Sequence, residues 1–376
     1  MGYCRYCGHL NPDDAKYCAL CGQPMVIVSS GDKGGSGKVD TRKPNRARNN
    51  NTSWVEQLNK YVGNDRPAEL NWKLLFTDVF TPHTVDEAEE IFICGTKDTT
   101  PPPSLVSEDW PHPWLYSRVL LMFGIAFLLL WICCDIFGNS NAIPGLIVVG
   151  SFTVPLSTVI LFLEVNAWRN VSLYKVLQTF LVGGCASLVA TLFLFQVVGS
   201  ANEMDFFGAM LTGIIEEIGK AVIVYYFLKH LGKLSILSGL LVGASVGAGF
   251  AAFESAGYAM NWLLQGGLGS MLDVIFLRGL LAPGGHVTWA AITGVAFVLA
   301  AKARGEISTS LFGDSKFLRL FILPVALHAL WDSPLSAIGS EIYLVPIILT
   351  FLVWIIVLIL INMGLAEVNS EGYRVH

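Results

Sequence analysis

Charge is what this sequence has least of. Of its 376 residues only 14% are Asp, Glu, Lys or Arg, against about 25% in an average soluble domain. So few charges cannot clothe a water-facing surface, and an ordinary soluble globule is excluded. Neither sign dominates. The net charge of −5 is small, so polyanion binding does not follow from the total, although Arg42, Lys43, Arg46 and Arg48 make a local basic run. An apolar leader is missing too: Met1 to Leu10 has no hydrophobic h-region, which predicts an N-terminus that stays in the cytosol. Disulfide-framework cysteines are also lacking. Cys94, Cys133, Cys134 and Cys185 are scattered, the last three in apolar segments, where lone cysteines act as small hydrophobes.

What is present is apolar length. From Ser117 onward, runs of roughly 20 residues follow one another, each long enough to cross ~30 Å of hydrocarbon. We read eight, over 117–137, 142–164, 175–198, 206–228, 235–263, 284–302, 317–339 and 343–363. A shorter apolar piece, Met271 to Leu281, precedes the break at Pro283-Gly284-Gly285 and reads as a re-entrant or interfacial hairpin. Arg169, Lys175, Lys229, Lys233, Lys302, Arg304, Lys316 and Arg319 fall in alternate loops, whereas the intervening loops carry Glu203, Asp205 or Glu341 and no Lys or Arg. The positive-inside rule then places both termini in the cytosol. The expected fold is an all-α, polytopic membrane helical bundle of about eight transmembrane helices, with a small N-terminal module.

That module is residues 1–24, followed by a flexible linker over 25–51, a small helical cytosolic segment over 52–113 and the membrane domain over 114–366. Ser29 to Asn51 is rich in Gly, Ser, Asn and basic residues without apolar period. Gly31 to Lys38 superficially suggests a phosphate loop, but its glycine spacing is wrong, Val39 stands where Ser or Thr is needed, and no strand precedes it. In the third segment Trp54, Val55, Leu58, Tyr61 and Val62 recur at helical spacing, as do Trp72, Leu75, Phe76 and Val79. Thr84 with Glu87 makes a capping box. Trp110 and Trp114 sit just before the first apolar run, where indoles favour the membrane interface.

Cys4-x-x-Cys7-Gly and Cys18-x-x-Cys21-Gly are two matching knuckles. Zn²⁺ takes four thiolates in a tetrahedron, and a two-residue gap lets one tight turn present both sulfurs. Twenty-four residues cannot build a hydrophobic core, so a structural zinc bound by Cys4, Cys7, Cys18 and Cys21 is the expected staple; disulfides are disfavoured in the cytosol. Such a module docks or senses, which suggests a cytosolic protein partner. Arg5, His9 and Lys16 are too weak a basic signature for nucleic acid.

The charges inside the apolar runs carry the chemistry. Glu216, Glu217 and Lys220 lie about halfway along the fourth run, where even lenient scales charge about 2.5–3.5 kcal/mol per ionisable residue. Glu216 and Lys220, four apart, share a face, and Glu217 is turned about 100° from Glu216. Glu254 and Tyr258 share a face in the fifth run, His286 opens the sixth with Trp289 one turn on, and His328 and Asp332 lie four apart in the seventh. Packing alone does not account for Glu216, His286 and His328, although Glu217 with Lys220 is also readable as a structural ion pair, Tyr258 as a packing residue and Arg278 as a snorkelling side chain. A desolvated carboxylate suits a general base acting on water. Two histidines can bind a metal or donate to an oxyanion, and Asp332 can orient His328 or serve as a third ligand. Together these are the parts of a hydrolase that cuts an amide within the membrane.

The E-E-x-x-K at Glu216, Glu217 and Lys220, the F-E-x-x-x-Y at Phe253, Glu254 and Tyr258, the lone His286 and the H-x-x-x-D at His328 and Asp332 occur in an order that resembles the PrsW family of intramembrane proteases, relatives of the CAAX-processing endopeptidases. The resemblance covers about Phe206 to Gly339, and a zinc-ribbon extension resembles one branch of that family. It implies a bacterial cytoplasmic-membrane enzyme that makes the first cut in a membrane-anchored regulator such as an anti-sigma factor. It implies Glu216, Glu217, His286 and His328 as catalytic residues, with Lys220, Glu254, Tyr258 and Asp332 in support. Family members are usually grouped with metallopeptidases, so an active-site Zn²⁺ or other divalent ion on His286, His328 and Asp332 is one expectation. Activation of water by a glutamate directly, aided by histidines, is the other, and H-E-x-x-H is absent from the chain. Two rival classes use the same residues: a proton-coupled transporter, for which no two-fold repeat of halves is visible, and a non-enzymatic membrane sensor or regulator.

Overall fold

Helices form where the apolar runs stand, and three of the long ones start at a polar residue that caps them, Asp205, Ser235 and Asp314. The computed structural model describes residues 2–3, 10–11 and 53–373, less 65, 68, 108 and 200–203. At the N-terminus β1 (Gly2–Tyr3) pairs antiparallel with β2 (Leu10–Asn11), Tyr3 opposite Leu10. Cys4, Cys7, Cys18 and Cys21 and the linker lie outside the described residues.

Two short helices precede the membrane domain. Both α1 (Trp54–Tyr61) and α2 (Val85–Phe92) start with a capping box, Ser53 with Glu56 and Thr84 with Glu87, which satisfies otherwise orphaned backbone N–H groups. The helical spacing at Trp72 to Val79 yields only a single 3₁₀ turn, Trp72–Leu75. Tertiary packing outweighs local periodicity there: Leu75 is buried, and the Trp72 ring packs on Phe351 and Trp354. Tyr61 donates its hydroxyl proton to the Arg319 carbonyl while the Arg319 guanidinium lies over the Tyr61 ring. Tyr116 donates to the Leu75 carbonyl, Asn362 to that of Glu69, and Trp168 to that of Pro101. Val62, Leu75, Cys94 and Trp110 thereby join one continuous hydrophobic core with the long helices.

The long helices are α3 (Leu115–Trp131), α4 (Ile143–Val165), α5 (Leu173–Gln178) continued through a π turn (Thr179–Gly183) into α6 (Gly184–Val198), α7 (Phe206–Lys229), α8 (Ile236–Leu281), α9 (His286–Arg304), α10 (Ser315–Asp332) and α11 (Leu344–Tyr373). Among the described residues five stretches are long and apolar enough to cross a membrane: Leu115–Ile136, Ser140–Val165, Leu173–Val198, Ile236–Arg304 and Leu344–Val368. The fourth holds both α8 and α9. Outside these five, α7 carries Glu216, Glu217 and Lys220, and α10 carries Lys316, Arg319 and Asp332.

A seam of small residues sets the centre of the bundle. Gly239 faces Gly294, Gly243 faces Ala290 and Gly247 faces the backbone of His286, each so close that an added methyl would meet backbone atoms. Spacing of four keeps these residues on one helix face, and small side chains let two backbones approach. Here α8 and α9 run antiparallel, and His286 is pressed against α8. Counting from Lys302 near the end of α9 to His286 gives about 24 Å at 1.5 Å per residue, so His286 lies deep in the bundle. Further along α8, Gly267 takes φ 77°, open to glycine without steric cost. The chain folds back there, so that Arg278 reaches Glu254 and Ser255, and Met271 and Ile275 bury themselves in a second small cluster with Leu146 and Ile147 of α4. Met271 to Leu281, expected as a re-entrant or interfacial hairpin ahead of Pro283, is instead a helical arm of α8 that turns back at Gly267.

Candidate active site

Four helices bring their ionisable residues to one place. Asp205 caps α7 by accepting from the Gly208 N–H, and Gly213 lets α10 approach: a methyl there would sit 3.1 Å from the Ala329 nitrogen and 3.4 Å from the His328 Cβ. That close crossing sets His328 beside Glu217, whose Oε1 lies 2.8 Å from His328 Nδ1. A carboxylate only accepts, so Nδ1 carries the proton of that bond. The same Glu217 oxygen takes a 2.6 Å contact from the Lys220 ammonium. Glu217, Lys220 and His328 are all buried, and their mutual contacts are what makes that burial tolerable.

Lys220 links two helices. Its Nζ is 2.7 Å from His286 Nδ1 and lies over the Phe250 ring at 4.5 Å. An ammonium can only donate, so His286 Nδ1 accepts and Nε2 holds the proton, which it donates to Glu254 Oε2 at 3.1 Å. Glu254 is held in turn by the Arg278 guanidinium, whose Nε also donates to the Ser255 hydroxyl at 2.8 Å. Aromatic rings frame the two imidazoles. The His286 and His328 ring centroids are 5.0 Å apart, Phe250 packs edge-on to His286, and Trp289 stacks on His328 at 4.5 Å and meets Trp331 edge-on.

Glu216 is the least satisfied member. Its Oε2 is buried with no hydrogen-bond partner among the described residues, lying 3.6 Å from His328 Nε2 and 3.9 Å from the Lys220 ammonium. Asp332 Oδ2 approaches the same His328 nitrogen at 3.2 Å. Nε2 thus faces two groups that only accept, an arrangement completed by a second proton or by a shared cation. Four carboxylates here face two fixed cations, which also favours a cation. Ligand atoms of Glu216, His286 and His328 all fall within 4.8 Å of one another. The 3.6 Å between His328 Nε2 and Glu216 Oε2 is close to the ~3.4 Å expected for two ligands on one tetrahedral zinc. The donor set fits a divalent ion. His286 joins it only by releasing Lys220 or Glu254, since both its ring nitrogens are bonded.

Of the residues singled out in the sequence, Glu216, Glu217, Lys220, Glu254, His286, His328 and Asp332 come together. Tyr258 does not: it is half exposed, its ring under the Arg278 guanidinium at 4.5 Å. Arg278, read as a snorkelling side chain, is instead the partner of Glu254. Three contributors went unread, Phe250, Ser255 and Trp331. Phe250 stands one turn before Glu254, a spacing that could have flagged it, but an apolar side chain in an apolar helix gives no contrast.

A family model described as PrsW family intramembrane metalloprotease matches residues 171–361, and a zinc-ribbon domain model matches residues 3–25. No curated protein and no solved structure matches. The matched membrane region contains every residue of the buried cluster, whereas α1, α2, α3 and α4 precede it.

Proposed function

Because the chain belongs to the PrsW family of intramembrane metalloproteases, we propose that it hydrolyses a peptide bond in a membrane-anchored protein, with Glu216 as general base and His286 and His328 as the groups that hold the reacting centre. The observation that carries this reading is the convergence of Glu216, His286 and His328 from α7, α9 and α10 within 4.8 Å. Glu216 would take a proton from water as its oxygen attacks the scissile carbonyl carbon, then return that proton to the leaving amide nitrogen. His286 and His328, with Asp332 beside His328, would hold the divalent ion that the family implies, and Glu216, within 4.8 Å of both histidines, would be left to take the proton. Such an ion, when bound, supplies Lewis-acid polarisation of a carbonyl and of water. Glu217 and Glu254 each fix the ring of one histidine, and fixed rings keep donors aimed where charge develops.

The substrate we propose is a single-pass regulator of the anti-sigma-factor kind, receiving its first cut. Eight spans, with α7 and α10 counted among them, are supported by the basic residues of alternate loops. The same pattern supports a cytosolic location for both termini and a cytoplasmic-membrane enzyme. Cys4, Cys7, Cys18 and Cys21 would hold a structural zinc in the matched ribbon, leaving that module free to engage a cytosolic protein.

Co-expression with candidate anti-sigma factors from the same genome tests the proposal. The full-length substrate band should vanish with the wild-type enzyme and persist with Glu216→Gln or His328→Ala. A band that also vanishes with both variants would remove the assignment. A transporter or sensor would leave the band intact throughout.

A further inference from the structure

A second site lies away from the buried cluster, on the face of the bundle that carries the basic loops. A cavity of about 200 Å³ opens between the start of α5, the end of α7 and the first turns of α8, lined by Lys175, Gln178, Thr179, Tyr226, His230 and Leu231, among others. At ~30 Å³ per water it holds about six waters, enough for a small polar headgroup. Its lining includes Thr179, the first residue of the π turn Thr179–Gly183, and π bulges inside helices are frequent at functional sites.

The walls are electrostatically one-sided. No Asp or Glu occurs in 165–200 or in 218–253, the two stretches that form the cavity. Those stretches supply Lys175, Lys229, His230 and Lys233 instead. Glu367, at the foot of α8, already accepts from Lys302 and from the Ile236 N–H. Lys175 Nζ has a long 3.4 Å bond to the Leu231 carbonyl. His230 Nδ1 donates to the Tyr226 carbonyl at 2.7 Å, which turns Nε2 outward. Below the cavity the same helices expose Leu177, Leu181, Val182 and Val222, a hydrocarbon-facing track continuous with the polar opening.

We propose that this cavity binds the phosphodiester headgroup of an anionic phospholipid, with its acyl chains along Leu177, Leu181, Val182 and Val222. Lys175 contacts the phosphate oxygens, His230 does so through Nε2 as an imidazolium, since its Nδ1 proton is committed to the Tyr226 carbonyl, and Gln178 and Thr179 supply neutral donors. Basic pockets between membrane helices recognise acidic headgroups through this combination of charge and hydrogen bonding. The inference rests on membrane embedding and on none of the catalytic assignments.

The test uses the full-length protein, delipidated in detergent, with short-chain phosphatidylglycerol, phosphatidylcholine of equal chain length, and inorganic phosphate as separate probes. Bound lipid is counted by native mass spectrometry. Phosphatidylglycerol should bind about fivefold more tightly than phosphatidylcholine for each basic contact made. Lys175→Gln with His230→Gln should reduce phosphatidylglycerol to the phosphatidylcholine level, while Lys175→Arg should keep the preference and thereby report on folding. Equal binding of the two lipids by the wild type, or a preference unchanged in the double variant, would overturn the proposal. So would occupancy by inorganic phosphate with no gain from the glycerolipid, which would assign the cavity to a soluble anion.

Discussion

Glu216 and Glu217 are neighbours in sequence with opposite surroundings. Glu217 Oε1 is bonded to both Lys220 and His328 although its Oε2 is buried without a hydrogen-bond partner, whereas Glu216 Oε2 is buried with only the longer ion-pair contacts to His328 and Lys220. A carboxylate held by two close donors positions them, and one whose oxygen meets cationic groups only at longer range is available for protons or a cation. Glu216→Gln should therefore abolish cleavage, by at least about 100-fold, while substrate still co-purifies with the enzyme. Retained turnover in a reconstituted assay would move the base elsewhere. Arg278 acts one step further out, through Glu254 on His286. Arg278→Ala should lower kcat about tenfold with little change in KM, and Arg278→Lys should recover only part of the loss, because one ammonium cannot grip Glu254 and Ser255 together. A rise in KM alone would make Arg278 a substrate contact.

Elements matter here through how closely they approach. Small residues at Gly239, Gly243 and Gly247 let α9 lie against α8, and His286 is at one of these close contacts. Gly247→Val should displace the start of α9, cost about 1–3 kcal/mol of stability, and inactivate the enzyme more than that loss explains. Thermal unfolding compared with activity at a temperature where both proteins stay folded separates the two effects. The docked segment ahead of α3 offers another check. Burial pushes the Cys94 thiol up, against the opposing pull of the Arg169 charge, and its sulfur lies 3.7 Å from the Val171 carbonyl. Because the thiolate is the nucleophile, Cys94 should alkylate several-fold more slowly than a free thiol at neutral pH and speed up as pH rises. Mass spectrometry of the labelled peptide reads this, and rapid labelling at neutral pH would show that residues 53–113 stand off the membrane domain.

At the scale of the whole molecule, two metal requirements are expected in one chain, and they are separable. Removing residues 1–24 should lower bound zinc by one ion per protein and leave the other, whereas His328→Ala in the shortened protein should lower what remains. Elemental analysis of both proteins gives the counts. A shortened chain without any metal that still cleaves would favour direct activation of water by Glu216.

The sequence alone determined that this is a membrane bundle, because low charge and repeated apolar runs admit no other solvent. It also determined which polar residues are costly enough to need a common purpose, since lipid penalises each of them separately and four short motifs mark their places. Tertiary structure decided the rest. Whether a carboxylate is held closely or only at longer range, whether Arg278 snorkels or grips Glu254, and whether Trp72 to Val79 forms a helix or a single 3₁₀ turn with Trp72 packed on α11 all depend on contacts between residues far apart in the chain. Periodicity reports which face a residue occupies on its own helix. It carries no information about what stands opposite, and here the chemistry depends on that.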